Sequence, residues 1–413
     1  MPSLILSDGT VFSGQSFGAR VDTDGEVVFS TGMVGYNESV TDPSFRGQIL
    51  VFTYPLIGNY GVPTEEKNEH GFSRNFESEN IHVRGVIVAQ YSEQHSHHNA
   101  VSSFGNWLEK HNIPGITGID TRALTKKLRE HGVMLGRIVQ DTPTTNDIVG
   151  KIEDPNLRNL VAEVSCNDVI IYEPTLSTDS GQADKRTNEP TNEPLTIIAY
   201  DCGMKRNIIR SFLKRGVRVV RVPWNFDLTL YTEPYDGVFF SNGPGDPKMC
   251  VATIAQLKYA IDKNIPTWGI CLGNQLMALA IGGDTYKLKY GHRGLNQPCI
   301  EELLPNAKEP LASHLSAIAL EATAEDSKLK TQHCIITSQN HGFAVQEDSL
   351  PAGWHVWFRN ANDGTVEGLR HESGRFSSIQ FHPEATPGPE DADYLFDEFV
   401  HLLEQERSKT DGK

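Results

Sequence analysis

The sequence predicts an α/β protein made of two unlike units: a β-rich α+β domain at the N-terminus and a C-terminal domain built on a central, mostly parallel sheet. Three observations carry that expectation. From Leu195 onward, short apolar runs alternate with amphipathic helical stretches, the spacing of a parallel sheet covered on both faces. The first third instead strings together short strand-like runs, turn signals and few helices. Between them, residues 173–194 are rich in Ser, Thr, Asp, Asn and Pro, repeat Thr-Asn-Glu-Pro at 187–194, and hold almost nothing apolar to bury. The division expected is 1–150 for the first domain, 151–194 for a linker with a disordered segment, and 195–413 for the second domain.

In the N-terminal domain, residues 4–6 and 11–12 flank Asp8-Gly9 and predict a hairpin. Residues 27–29, 49–52 and 84–89 predict further strands. Helices are expected at 102–110 and 122–130. The second has Asp120 or Thr121 as its cap, Leu124 and Leu128 one turn apart, and Gly132 as its stop. His95, His97 and His98 make a histidine-rich turn. A metal site needs three or four convergent ligands, and no partner cluster is visible, so no metal site is expected.

In the C-terminal domain, strands are expected at 195–200, 217–222, 238–240, 265–270 and 376–381, and helices at 205–215, 252–262 and 274–281. Ile208, Ile209, Phe212 and Leu213 share one face of the first helix, and Gly216 ends it. In sheets of this kind catalytic loops lie at the carboxyl ends of the strands. Gly243, Cys271 and His382 all fall at such ends.

Cys271 carries the most chemistry. It follows a buried strand and precedes a helix, so it sits at the positive end of the helix dipole. That position favours the thiolate, the nucleophilic form. Gly269 and Gly273 flank it and permit a sharp turn. The arrangement is that of a nucleophile elbow with sulfur in place of oxygen. A lone cysteine is more often a small buried hydrophobe. What adds weight is His382, with Glu384 two residues on, which can supply a base and the group that orients it. The loop Asn242-Gly243-Pro244-Gly245-Asp246 reads either as a plain tight turn or, with the Leu272 N–H, as a source of backbone donors for an oxyanion. It lacks the Gly-Lys-Ser/Thr ending of a phosphate loop. Gln275 lies one helical turn after Cys271, on the same face.

Together these motifs resemble a known family. Gly-Ile-Cys-Leu-Gly-Asn-Gln at 269–275, with Phe-His-Pro-Glu-Ala at 381–385, is similar to the class I (triad) glutamine amidotransferases. Ser-Asn-Gly-Pro-Gly-Asp-Pro at 241–247, Ser-Gln-Asn-His-Gly-Phe at 338–343, and the stretches 35–44, 54–61 and 118–122 narrow the resemblance to the small, glutaminase subunits of carbamoyl-phosphate synthetases, over nearly the whole chain. The resemblance implies a class I amidotransferase fold for the C-terminal domain and a Cys271, His382, Glu384 triad. It also implies a glutamine site made by Ser44, Gly243, Gly245, Leu272, Gln275, Asn340, Gly342 and Phe343. Read from the residues alone, Ser44 remains open as a turn residue and Asn340 as a buried backbone cap. No bond-making role is assigned to the family-like segment 289–298.

The resemblance further implies a ligase component that hydrolyses L-glutamine and passes ammonia through a tunnel to a large subunit, in a heterodimer or a higher oligomer. No cofactor is expected in this chain; ATP, bicarbonate and a divalent metal are expected on the large subunit. Carbamoyl phosphate for arginine and pyrimidine biosynthesis is the implied product. The alternative is a non-catalytic scaffold that stabilises an ammonia-using synthetase; relatives of that kind lose the cysteine, which is present here. Asn274 stands where the family often has histidine, outside the triad, so tuning rather than loss is expected. Residues 305–330 replace a shorter family connection and, with an alanine-rich stretch at 312–324, read as a surface insertion without activity.

A formal net charge of −16, from 37 Lys and Arg against 53 Asp and Glu, argues against nucleic acid or an anionic membrane surface as partner. The chain shows no leader-like start and no apolar run long enough to span a bilayer. Its six cysteines are scattered without a C-x-x-C pair, as in a reducing compartment, so a cytoplasmic location is expected.

Overall fold

Two sheets organise the chain. The structure, a computed structural model, describes residues 1–143, 152–174, 193–302 and 333–411. The disordered segment expected within the linker and the insertion expected at 305–330 fall largely or wholly outside the described residues.

The first sheet has eight strands in the order Val11–Ser13, Ser3–Leu6, Met134–Val139, Thr23–Ser30, Gln48–Phe52, Gly85–Ile87, Pro114–Thr117 and Gln15–Gly18. Its middle is parallel and its ends antiparallel. The expected hairpin forms, with Leu4 opposite Phe12. Side chains alternate across the sheet with period two. Val27, Ile49, Val51 and Ile87 therefore pack on one face with Leu124 and Leu128 of the helix Thr121–His131. Val28, Leu50 and Val86 pack on the other with Phe104, Trp107 and Leu108 of the helix Phe104–Lys110. Asp120 caps its helix by accepting from the Ala123 N–H at 2.9 Å. A short helix, Tyr36–Thr41, and a 3-10 turn, Pro43–Phe45, stand where sequence patterning alone suggests only a turn.

The second sheet has ten strands. Five form its parallel core in the order Arg218–Pro223, Thr196–Asp201, Gly237–Phe240, Thr267–Ile270 and Phe376–Ile379. Ile197 and Ala199 face one side, where Ile208 and Phe212 of the helix Arg206–Lys214 meet Phe396 and Phe399 of the helix Tyr394–Asp411. Trp268 sits edge-on between those layers, 5.0 Å from the Phe396 ring centroid. Ile198 and Tyr200 face the other side, with Leu257 of the helix Val251–Asp262 and Leu276 and Met277 of the helix Leu272–Ala280. Each such fully buried side chain contributes about 1.5–3 kcal/mol, so the strand that ends at Cys271 is anchored on both faces.

The expectation of a mostly parallel sheet describes that core, but the sheet continues as an antiparallel wing: Val366–His371, Cys334–Gln346, Asp284–Glu301 and Trp354–Asn360. The two long strands of the wing escape sequence patterning because breaks in register, between Lys287 and His292 and between Gly294 and Gln297, interrupt the alternation. The segment from 151, expected as linker, is not connector throughout. Pro155–Leu157 forms a 3-10 turn, Val161–Val164 a short helix, and Ile170–Tyr172 an edge strand on Arg218–Pro223. Docking of Leu160, Val161 and Tyr172 decides this, not local propensity.

The two units meet at the start of the helix Arg206–Lys214. The Glu77 carbonyl accepts from the Arg206 N–H at 2.9 Å, its carboxylate accepts from the Asn207 N–H at 3.2 Å, and Glu79 pairs with the Arg206 guanidinium. Among the described residues no helix is long and apolar enough to cross a membrane.

Candidate active site

Cys271 stands between the strand Thr267–Ile270 and the helix Leu272–Ala280 with φ 55° and ψ −99°. A side chain with positive φ is strained, and such strain persists only where the surroundings over-determine it. Here the Cys271 N–H is held by the Ile379 carbonyl at 2.8 Å, and its carbonyl already accepts from Asn274 and Gln275 in the first helical turn. The turn is tight enough to demand glycine: a Cβ at Gly273 would lie 2.3 Å from the Phe240 carbonyl oxygen. The sulfur points toward the Asn340 carbonyl at 3.7 Å.

His382 arrives from the next parallel strand, Phe376–Ile379, and its N–H is fixed by the Ser338 carbonyl at 2.8 Å. Its Nδ1 lies 2.7 Å from Glu384 Oε1. Since a carboxylate only accepts, Nδ1 carries the hydrogen and Nε2 is left for chemistry. Nε2 has no hydrogen-bond partner among the described residues. Burial of the ring opposes its charged form, but the Glu384 carboxylate and then the Cys271 sulfur outweigh it and hold the His382 pKa well above the ordinary value. The Cys271 sulfur acts on the ring both through charge and as a hydrogen-bonding neighbour. Burial of Glu384 likewise opposes its charge, and the Lys205 ammonium and then His382 overcome this, holding its carboxyl well below the usual range.

Lys205 is the counter-ion that sequence patterning missed. Its Nζ lies 3.0 Å from Glu384 Oε1, donates to the Ala385 carbonyl at 2.7 Å, and reaches Glu77 of the other domain at 4.0 Å. A signal was present: Lys205 follows the carboxyl end of a parallel strand, as the other site residues do.

A cleft of about 480 Å³, open mouth included, lies against the sulfur. Ser44, Gly243, Gly245, Cys271, Gln275, Asn340, Gly342 and Phe343 all line it, as do Lys287, Tyr290, Gly291 and Arg293 of the family-like segment and its approach. His382, Glu384 and the predicted site residue Leu272 are buried and not on its wall; Leu272 is the first residue of the helix that follows Cys271. Gly243 packs so close to the neighbouring strand end that a Cβ would meet the Cys202 carbonyl oxygen at 2.0 Å. Among the described residues neither the Gly243 nor the Leu272 N–H donates to a protein acceptor.

A polar network spanning both domains holds the cleft wall. Asp42 accepts from the Ser44 N–H and from Asn340 Nδ2, each at 2.9 Å, and Asn242 Nδ2 donates to Ser44 Oγ at 2.9 Å. Gln275 Nε2 donates to the Phe343 carbonyl at 3.0 Å and to Gln380 at 3.2 Å, and Asn274 donates to the same Gln380 oxygen at 3.2 Å. Asp42, Asn242 and Gln380 were not singled out from sequence because each acts through a neighbour. The histidines at 95, 97 and 98 are exposed and do not line this cleft.

Comparison with known proteins adds family context. Two family models match: carbamoyl-phosphate synthase small chain, CPSase domain, over residues 4–138, and glutamine amidotransferase class-I over residues 198–402. The multifunctional protein CAD of Squalus acanthias is 47% identical over 402 residues, covering 97% of this chain and 16% of that protein. Multifunctional protein URA2 of Saccharomyces cerevisiae is 44% identical over 419 residues, covering 98% of this chain and 18% of that protein. The carbamoyl phosphate synthase arginine-specific small chain of Aspergillus fumigatus is 42% identical over 401 residues, covering 97% of this chain and 79% of that protein. This chain therefore spans under a fifth of the length of these two multifunctional relatives and most of the length of the small chain.

Proposed function

The chain belongs to the carbamoyl-phosphate synthase small-chain family and carries a class I glutamine amidotransferase domain; from that premise we propose that it hydrolyses L-glutamine and delivers the ammonia to a synthetase partner. The observation that carries the reading is the strained Cys271 beside an imidazole whose Nδ1 is held by Glu384 and whose Nε2 is unpartnered.

The Cys271 sulfur gives its proton to His382 Nε2 and attacks the amide carbon of glutamine. The carbonyl oxygen becomes an oxyanion, for which the Leu272 and Gly243 N–H groups, without a protein acceptor among the described residues, are the proposed donors. The tetrahedral adduct collapses as His382 returns the proton to the leaving nitrogen, and ammonia departs. A γ-glutamyl thioester remains. Water, deprotonated by the same nitrogen, releases glutamate and restores the thiol. Glu384 keeps the ring in the right tautomer and stabilises the imidazolium; Lys205 keeps Glu384 ionised. Gln275, Asn340, Gly342 and Phe343, with Ser44 and Gly245, bound the space for the amino-acid end of the substrate.

The partner proposed is the large subunit of carbamoyl-phosphate synthetase, separate or fused, which would bind ATP, bicarbonate and a divalent metal and make carbamoyl phosphate for arginine or pyrimidine biosynthesis. A cytoplasmic site of action accords with the free cysteines among the described residues. A scaffold without catalysis is the less favoured reading because Cys271, His382 and Glu384 are all present, with Glu384 Oε1 2.7 Å from His382 Nδ1. Glutamate release from glutamine, measured with and without the large subunit, tests the reading. Activity that the partner raises and Cys271→Ser removes supports it; equal release by the wild type and Cys271→Ser refutes it.

A further inference from the structure

The structure gathers a second group of buried imidazoles around a carboxylate. His292, His341 and Glu367 come from three strands of the antiparallel wing, and one ligating atom of each lies within 4.8 Å of the others. Glu367 Oε1 is 3.2 Å from His292 Nδ1 and 3.6 Å from His341 Nε2. The outer nitrogens fix the proton positions. His292 Nε2 is 2.8 Å from Asp363 Oδ2, and His341 Nδ1 is 2.9 Å from the Phe343 carbonyl oxygen. Both oxygens accept, so both outer nitrogens carry hydrogen. In the neutral rings the inner nitrogens then turn their lone pairs toward a single carboxylate oxygen.

Two lone pairs and an anion directed at one point repel unless a cation stands between them. One added proton can serve His292, but it leaves His341 Nε2 and Glu367 Oε2 without a partner, as they are among the described residues. Those two side chains are 1% and 0% exposed, so water does not relieve them from outside. An imidazole whose outer N–H is held by a carboxylate or carbonyl while its inner nitrogen is free is arranged as metal-bound histidines are.

We propose that His292, His341 and Glu367 form a site for one divalent transition-metal ion of the zinc type. The ion binds two imidazole nitrogens and a carboxylate oxygen, with a fourth position for water. The Asn360 amide, in a long 3.4 Å contact with His292 Nδ1, is the group the ion displaces. Asp363, with 43% of its side chain exposed, borders the site on the solvent side. The ion would tie three strands together where His341 stands between Asn340 and Gly342 of the cleft wall. This inference concerns binding alone and stands apart from the glutaminase reading.

The test uses full-length Cys271→Ser protein, so that the cleft thiol does not compete for metal. Titration with Co²⁺ is expected to give one equivalent per chain, with the strong visible absorption of a four-coordinate site, displaced by Zn²⁺. Glu367→Gln and His292→Asn in that background are expected to abolish the absorption. Asp363→Asn, a change near the surface, is expected to weaken Co²⁺ binding about 10–100-fold. Circular dichroism without metal establishes that each variant is folded. No stoichiometric Co²⁺ signal, or a signal of unchanged affinity in folded Asp363→Asn and Glu367→Gln proteins, overturns the proposal.

Discussion

Glu384 and Glu367 are both fully buried, both face imidazole, and both are held below the ordinary carboxylate range, yet they are balanced differently. For each, burial favours the neutral acid; what overcomes it is first Lys205 at Glu384 and first His341 at Glu367. Glu384 has a permanent cation at 3.0 Å and gives one oxygen to one ring. Among the described residues no lysine or arginine pairs with Glu367, and one of its oxygens is shared by two rings. A carboxylate with its own counter-ion can spend its hydrogen bond on aiming a single imidazole, which suits a base that must shuttle protons. A carboxylate whose neighbours are two titratable rings has no permanent counter-ion, and a bound cation can take the place of a ring proton. The residue types are the same; the nearby lysine sets the difference.

The largest expected effect tests whether the first cluster is the chemical one. Cys271→Ser should lower glutamate release by about 10⁴-fold or more while leaving the thermal midpoint near wild type, because the exchange preserves volume but removes the nucleophile. Glutaminase assays at saturating glutamine measure it, and retained turnover would end the comparison.

Next comes Glu384→Gln. Loss of the orienting charge should cut kcat by about 10²–10⁴-fold. It also leaves buried Lys205 with only the more distant Glu77 carboxylate, at 4.0 Å, as counter-ion, at a cost of up to about 3–5 kcal/mol of stability measured by urea unfolding. Lys205→Met removes the cation instead. A carboxylate left alone in that environment takes up a proton, so kcat should fall by about 10–100-fold, with a smaller stability loss than Glu384→Gln because the glutamate can neutralise itself. Equal kcat in Lys205→Met and wild type would show that the counter-ion does not matter to the base.

The pH dependence sharpens the same point. In the folded protein His382 titrates above its ordinary 6.5, with burial opposing and Glu384 and Cys271 prevailing. Its charged form therefore adds stability below about pH 6.5, and that contribution is lost as pH rises through the higher folded value. Glu384 titrates below its ordinary 4.5, so its contribution is full above that pH and is lost as pH falls toward the folded value. In kcat/KM profiles the acid limb, where the imidazolium gives up its proton and the ring becomes the base, should move to lower pH by about one unit or more in Glu384→Gln. An unmoved limb would assign it to another group.

The smallest effect is expected at the second cluster. Glu367→Gln should leave kcat within about twofold and raise KM for glutamine by about 2–10-fold, the scale of one weakened hydrogen bond beside the cleft. A loss of kcat as deep as that of Glu384→Gln would erase the distinction between the two clusters.

The sequence alone determined what local patterning can encode. The strand–cysteine–helix bend at Cys271 is written in seven consecutive residues, with glycine where backbone must approach backbone. The paired His382 and Glu384 are two apart, and the parallel core follows from apolar runs spaced by amphipathic helices. Patterning narrowed one helix cap to Asp120 or Thr121, and Asp120 takes it. Tertiary structure alone decided which distant groups share charge. Lys205 reaches Glu384 across 179 positions of chain, Asp42 of the first domain holds Asn340 of the second, and three strands of an irregular wing bring His292, His341 and Glu367 to one point. The physical reason is that hydrogen-bond geometry within a turn or helix depends on neighbours in the chain, whereas burial and charge balance depend on everything packed around a group, and no short window of sequence contains that.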